Sequence, residues 1–249
     1  MNCKSCGTAL KDKGSGVYYC PACFNEYTLD DFEGITKANV ISGGVPSGAE
    51  IFEKNVNGVL EIVALFNGYG SNGSGYLISE RGLAITNTHV VTGKEYEVCK
   101  NLTVRIAGEK VSAKVLAIGD DKGGSGDGVD LALIALERVP KYAKVLKFGD
   151  FDRVKSGDDV YVIGNSLGDG TCITKGIVSD KLRQFMGKTY LMTDCPINGG
   201  NSGGPIFNKY GEVIGTMVAS RLNRGAMVEG MNYAIPLPIV NLFIKEVLK

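Results

Sequence analysis

From Val59 onward the chain is punctuated every few residues. Short apolar or β-branched runs, each bounded by Gly, Asn, Asp or Ser, recur at 59–66, 75–79, 83–86, 102–107, 111–118, 130–136, 159–164, 173–182, 189–194, 204–208, 212–219 and 231–235. Runs of this length between turn formers read as strands. About twelve of them predict a mostly β domain, either a sandwich or a pair of barrels. The period changes twice. Ala49-Glu50-Ile51-Phe52-Glu53-Lys54-Asn55-Val56 reads as a short helix ahead of the strands. Pro236-Leu237-Pro238 closes the strand region, and Ile239 to Leu248 then has the spacing of an amphipathic terminal helix. Residues 31–48, ending in Ser42-Gly43-Gly44-Val45-Pro46-Ser47-Gly48, read as linker, and residues 1–30 stand apart in composition. The expected organisation is a small module at 1–30, a linker at 31–48 and one large domain at 49–249.

Composition adds bounds. Hydrophobic residues make up 44% of the chain, enough for a sizeable core, and 35 glycines suit tight turns between short strands. Lys plus Arg is 27 and Asp plus Glu is 27, so the net charge is zero and nothing pulls the chain toward nucleic acid or an anionic membrane. No apolar run approaches the roughly 18 residues that span a bilayer. Met1-Asn2-Cys3-Lys4-Ser5-Cys6 has no apolar stretch of the signal-peptide kind, so the expectation is a cytoplasmic protein.

Four of the seven cysteines form two pairs, Cys3-x-x-Cys6 and Cys20-x-x-Cys23. In a reducing compartment such pairs point to metal rather than disulfides. A 30-residue module cannot bury enough apolar surface to fold alone. A tetrahedral zinc site made of four cysteine thiolates supplies about 10–16 kcal/mol of apparent stability at neutral pH. One Zn2+ per chain is expected, structural because all four positions are filled by protein; iron and a redox dithiol are the alternatives. The segment resembles zinc ribbons, small β modules that often dock a protein partner. Its lysines (Lys4, Lys11, Lys13) are too few to favour nucleic acid.

The chain contains a single histidine, His89, in Ile85-Thr86-Asn87-Thr88-His89-Val90-Val91. Asp130 opens Asp130-Leu131-Ala132-Leu133-Ile134, and Ser202 lies in Gly199-Gly200-Asn201-Ser202-Gly203-Gly204-Pro205. A serine nucleophile needs a base to take its proton and a third group to hold the base. With one histidine, the base of any such triad is His89. The polar, Gly-rich stretch 119–128 just before Asp130 reads as a loop, and Cys195 reads as a small buried residue.

The order His, Asp, Ser is that of chymotrypsin-fold proteases. The region from about residue 50 onward resembles the HtrA/Deg branch of the trypsin-like serine proteases. The resemblance rests on Gly73-Ser74-Gly75-Tyr76-Leu77-Ile78, Thr86-Asn87-Thr88-His89-Val90-Val91, Val162-Ile163-Gly164-Asn165-Ser166-Leu167-Gly168, Thr174-Lys175-Gly176-Ile177-Val178-Ser179, Thr193 through Ser202, Gly211-Glu212-Val213-Ile214-Gly215 and Asn232-Tyr233-Ala234-Ile235-Pro236. It implies a double six-stranded β-barrel with a C-terminal helix. It also implies Ser202 as nucleophile, His89 as base, Asp130 as its orienting partner, and the N–H groups of Gly200 and Ser202 as oxyanion hole.

Asn201 departs from the digestive enzymes, where an aspartate before the serine pairs with a newly cut N-terminus. A neutral amide cannot form that ion pair, so activation by cleavage is not expected. The implied specificity pocket is walled by Ile197 and by Val218 and Ala219. With no charge at Pro196, Ile197 or 216–219, it disfavours Lys or Arg. The reading is a serine endopeptidase acting on proteins or peptides and cutting after small or medium apolar residues. The rival is a peptide-binding protein on a protease fold, without turnover and with the ribbon as docking module.

Overall fold

A computed structural model describes residues 11–12, 17–19, 26–28, 45–119, 128–223 and 226–249. Three short antiparallel strands come first: β1 (Lys11–Asp12), β2 (Val17–Tyr19) and β3 (Glu26–Thr28), in that order across the sheet. Cys3, Cys6, Cys20 and Cys23, the expected zinc ligands, lie outside the described residues, as do 29–44 and 120–127.

Helix α1 (Gly48–Asn55) begins at a capping box. The Ser47 hydroxyl accepts the Glu50 N–H, and the Glu50 carboxylate accepts the Ser47 N–H at 2.8 Å. The strands then close into two barrels. The first contains β4 (Val59–Leu65), β5 (Gly70–Leu77), β6 (Leu83–Thr86), β7 (Asn101–Ile106), β8 (Glu109–Ile118) and β9 (Ala132–Leu136), in the closed order β4-β5-β6-β9-β8-β7. A single helical turn, α2 (Thr88–Val91), lies between β6 and β7. The second barrel contains β10 (Asp159–Asn165), β11 (Thr171–Phe185), β12 (Lys188–Thr193), β13 (Pro205–Asn208), β14 (Val213–Asn223) and β15 (Ala226–Pro236), in the closed order β10-β11-β12-β15-β14-β13. Of the two architectures open to the strand pattern, the chain adopts the pair of barrels.

Alternation along the strands explains how the barrels meet. Leu77, Ala84 and Ile134 lie side by side across β5, β6 and β9 and fill the first barrel. Their neighbours Tyr76, Ile85 and Leu133 point to the opposite face. These three belong to a second cluster shared with Ile163, Ile206 and Met217 of the other barrel. The outer face of β5-β6-β9 is therefore interface, which is why these strands are apolar on both faces. Two polar links cross the same boundary. The buried Tyr76 phenol lies 2.8 Å from Thr216 Oγ1, and Glu61 accepts from the Thr171 N–H and hydroxyl.

Most strand boundaries shift by a few residues from expectation, and two shifts are informative. β5 starts at Gly70, because Gly70-Ser71-Asn72-Gly73 pairs with β4 despite lacking an apolar pattern. The last helix, α3 (Leu237–Val247), starts two residues early, with Pro238 in its first turn, where a missing N–H costs nothing. Leu237, Val240 and Phe243 form its buried stripe. Among the described residues no helix is long and apolar enough to cross a membrane.

Candidate active site

His89 is placed by its two predecessors. β6 ends at Thr86 and the chain turns into α2. The Asn87 side chain does not cap this turn; its Nδ2 donates to the Asp130 carbonyl at 2.6 Å. The Thr88 hydroxyl donates to the Leu131 carbonyl at 2.8 Å. Asn87 and Thr88 thus clamp the backbone of 130–131 alongside α2. His89 then meets the Asp130 carboxylate twice: its backbone N–H donates to Oδ1 at 3.0 Å, and its ring Nδ1 lies 2.6 Å from Oδ2. An ionised carboxylate only accepts, so Nδ1 carries the proton and Nε2 is left with the basic lone pair. The Asp130 side chain is 9% exposed and that of His89 48%, so the orienting group is sheltered while the base faces outward.

The nucleophile loop is shaped by glycines. Gly200 has φ +95°, and a Cβ there would collide with the Asn165 carbonyl oxygen. The Asn201 N–H donates to the Asn198 carbonyl at 3.2 Å, closing the turn that this φ permits. The Leu167 N–H holds the Gly199 carbonyl at 2.7 Å, and the Gly204 N–H holds the Asn201 carbonyl at 3.0 Å. In a trans peptide the C=O and N–H point opposite ways. Anchoring these two carbonyls therefore sets the direction of the Gly200 and Ser202 N–H groups. Neither N–H has a backbone acceptor among the described residues. At Gly203, with φ +83°, a Cβ would strike the Ser74 carbonyl oxygen and Thr86 Oγ1 and stand 2.9 Å from the Asn87 nitrogen. The serine loop is thus pressed against the strand end that leads to His89.

Ser202 Oγ donates to the Val218 carbonyl at 2.8 Å. That carbonyl is available because β14 bulges there. Met217 pairs with Ala234 and Ala219 with Tyr233, so Val218 is the extra residue. Ile197 is buried, Val218 is half-buried beside the nucleophile, and Ala219 follows the bulge in register with Tyr233. Asn232, which sequence reasoning missed, is buried in register with Thr193 and Ser220 and donates to the Cys195 carbonyl at 2.6 Å. Asn87 and Leu167 were likewise missed, although both lie inside motifs that carried the resemblance. Burial pushes the Cys195 thiol up to about 11, so it stays protonated and inert at neutral pH, as expected of a small buried residue. Among the described residues no cluster of His, Cys, Asp or Glu could hold a metal ion.

The sequence profile described as the trypsin-like peptidase domain matches residues 73–215. A probable periplasmic serine endoprotease, DegP-like, from Pseudomonas putida is 37% identical over 172 residues, covering 68% of this chain and 33% of the relative. A protein of the same description from Brucella suis is 34% identical over 183 residues, covering 72% and 33%. The chain therefore spans about a third of the length of these relatives. Among solved structures, the HtrA-type protease AlgW with a tripeptide superposes with a TM-score of 0.71 at 26% identity, covering 82% of this chain and 64% of that one. The expectation of a cytoplasmic protein is corrected by these relatives, which are named as periplasmic. It rested on the first residues, Met1 to Cys6, which lack an apolar signal-peptide stretch. The profile match covers more than half of the chain and includes His89, Asp130 and Ser202; the chain belongs to the trypsin-like peptidase domain family.

Proposed function

We propose that the chain is a serine endopeptidase using Ser202, His89 and Asp130. The observation that carries this reading is the doubly bonded His89–Asp130 pair, set against a glycine-shaped loop with two N–H groups that have no backbone acceptor among the described residues. Ser202 first turns its hydroxyl from the Val218 carbonyl toward His89. His89 Nε2 takes the proton as Oγ bonds to the scissile carbonyl carbon. The carbonyl oxygen becomes an oxyanion, met by the Gly200 and Ser202 N–H groups. Asp130 stabilises the imidazolium. The C–N bond then breaks, the proton passes to the leaving amine, and an acyl-enzyme remains on Ser202. Water, deprotonated by the same nitrogen, releases the acid and restores the serine.

The substrates are proteins or peptides, a reading supported by the tripeptide in the related AlgW structure. Cleavage after small or medium apolar residues is supported by the buried Ile197 and by the uncharged run at 216–219. For the first 30 residues we propose a structural Zn2+ held by Cys3, Cys6, Cys20 and Cys23, in a ribbon that docks a protein partner. Support comes from the two CxxC pairs and from the small sheet β1-β2-β3 on the segments around them.

Ser202→Ala and His89→Ala should each lower kcat by several orders of magnitude, and the double variant should be hardly worse, because the groups act as a unit. A fluorophosphonate probe should label the wild type on Ser202 alone. Substantial peptidase activity in His89→Ala would overturn the triad. Metal analysis of protein purified under reducing conditions should give about one zinc per chain. Cys6→Ser should lose the zinc and keep the fluorophosphonate labelling; wild type without zinc refutes the ribbon.

A further inference from the structure

Ser74 stands on β5, fully buried, inside the Gly73-Ser74-Gly75 motif. Every hydrogen-bonding group it has is engaged at the active site. Its N–H donates to the Ser202 carbonyl at 2.8 Å, and its own carbonyl accepts the Thr86 hydroxyl at 2.7 Å. Its hydroxyl donates to the Gly200 carbonyl at 2.6 Å and accepts the Asn165 N–H at 2.8 Å. The bonds to Ser202, Gly200 and Asn165 all run from the first barrel to the second. Ser74 cannot drift within this socket. A Cβ on Gly164 would stand 2.9 Å from its Oγ, and one on Gly204 would stand 3.1 Å from its Cβ.

This arrangement answers a question raised by Asn201. Glycine at position 200 permits φ +95° but does not enforce it, since glycine visits many conformations at similar cost. Two anchors remove that freedom. Leu167 holds the carbonyl before Gly200, and the Ser74 hydroxyl holds the carbonyl after it. The same hydroxyl accepts from Asn165, whose carbonyl oxygen fills the space where a Cβ on Gly200 would go and whose segment leads to Leu167. One side chain therefore fixes both walls of the loop.

We propose that Ser74 is a positioning residue for the oxyanion hole. Its hydroxyl locks the Gly200 conformation from the first barrel and so performs, without any chain cleavage, the ordering that an ion pair at position 201 cannot. This deepens the protease reading and rests on it. Ser74→Ala removes both hydroxyl bonds and leaves the Gly200 carbonyl and the Asn165 N–H buried without partners.

In the full-length chain, Ser74→Ala should lower kcat by about 10²–10³, the loss seen when an oxyanion donor is removed, with KM changed less than about threefold. Affinity for a peptide aldehyde, which becomes an oxyanion adduct, should fall by the same factor as kcat/KM. Ser74→Cys, close in volume but a weak donor, should fall between wild type and alanine. Wild-type kcat in Ser74→Ala overturns the proposal. So does a loss of activity that disappears when rates are divided by the folded fraction read by circular dichroism, since that reports only missing folded protein. If the alanine variant does not fold, Ser74→Cys decides: lowered kcat at unchanged KM supports the role, and wild-type kcat refutes it. A wild type that neither labels nor hydrolyses peptides refutes the protease reading instead, and the proposal falls with it.

Discussion

At Gly200 one added carbon meets backbone strain and a backbone clash together. Its φ of +95° is disfavoured for any L side chain, and a Cβ would meet the Asn165 carbonyl oxygen. Gly200→Ala must therefore turn the peptide whose N–H is proposed for the oxyanion hole. We expect kcat to fall by about 10²–10³ at little change in KM, read by steady-state peptide hydrolysis. The His89–Asp130 pair lies on the first barrel and should persist, so retained wild-type kcat would remove Gly200 from the oxyanion hole. The proposed reacting groups stand out in the sequence because their chemistry is scarce: one histidine in the chain, and one serine set between two pairs of glycines. The residues that hold them do not. Ser74 and Asn87 act through bonds to backbone carbonyls and N–H groups far away in sequence, and such bonds leave no periodic or compositional trace.

Among the elements, those with a full hydrophobic period were legible. The run predicted at 83–86 is β6 to the residue, and each predicted strand has a counterpart in a barrel. What escaped notice lacks a period. The start of β5 is polar and glycine-rich, and it is held in the sheet by β4 rather than by its own side chains. α2 is one turn, too short for helical spacing to show, yet it follows β6 directly and brings the backbone N–H of His89 onto Asp130. The bulge at Val218 is a property of register between β14 and β15, so it exists only once the partner strand is known. It is nevertheless what turns a main-chain acceptor toward Ser202. The site is therefore built mostly from the irregularities of regular elements.

At the scale of the whole molecule, the residues of the proposed triad stand on different barrels, and the interface between them sets the geometry. His89 and Asp130 belong to the first barrel and Ser202 to the second. The second core cluster runs through the boundary, joining Tyr76, Ile85 and Leu133 to Ile163, Ile206 and Met217, so neither barrel can open without exposing apolar surface of the other. Tyr76 tests this coupling. Its phenol is buried, burial pushes its pKa up so that it stays neutral, and its hydroxyl meets Thr216 across the boundary. Tyr76→Phe keeps the ring and strands the Thr216 hydroxyl in an apolar interface, which should cost about 1–3 kcal/mol of unfolding free energy. Because the Ser74 bonds to Gly200, Ser202 and Asn165 remain, kcat should stay within a few-fold of wild type. Urea titration followed by far-ultraviolet circular dichroism and by residual fluorophosphonate labelling reads both quantities. The two probes should shift together to lower urea in Tyr76→Phe, since a shared core makes the barrels one cooperative unit. A labelling midpoint that falls while the circular dichroism midpoint stays would show that the barrels separate before they unfold, and that the interface is a joint rather than a core.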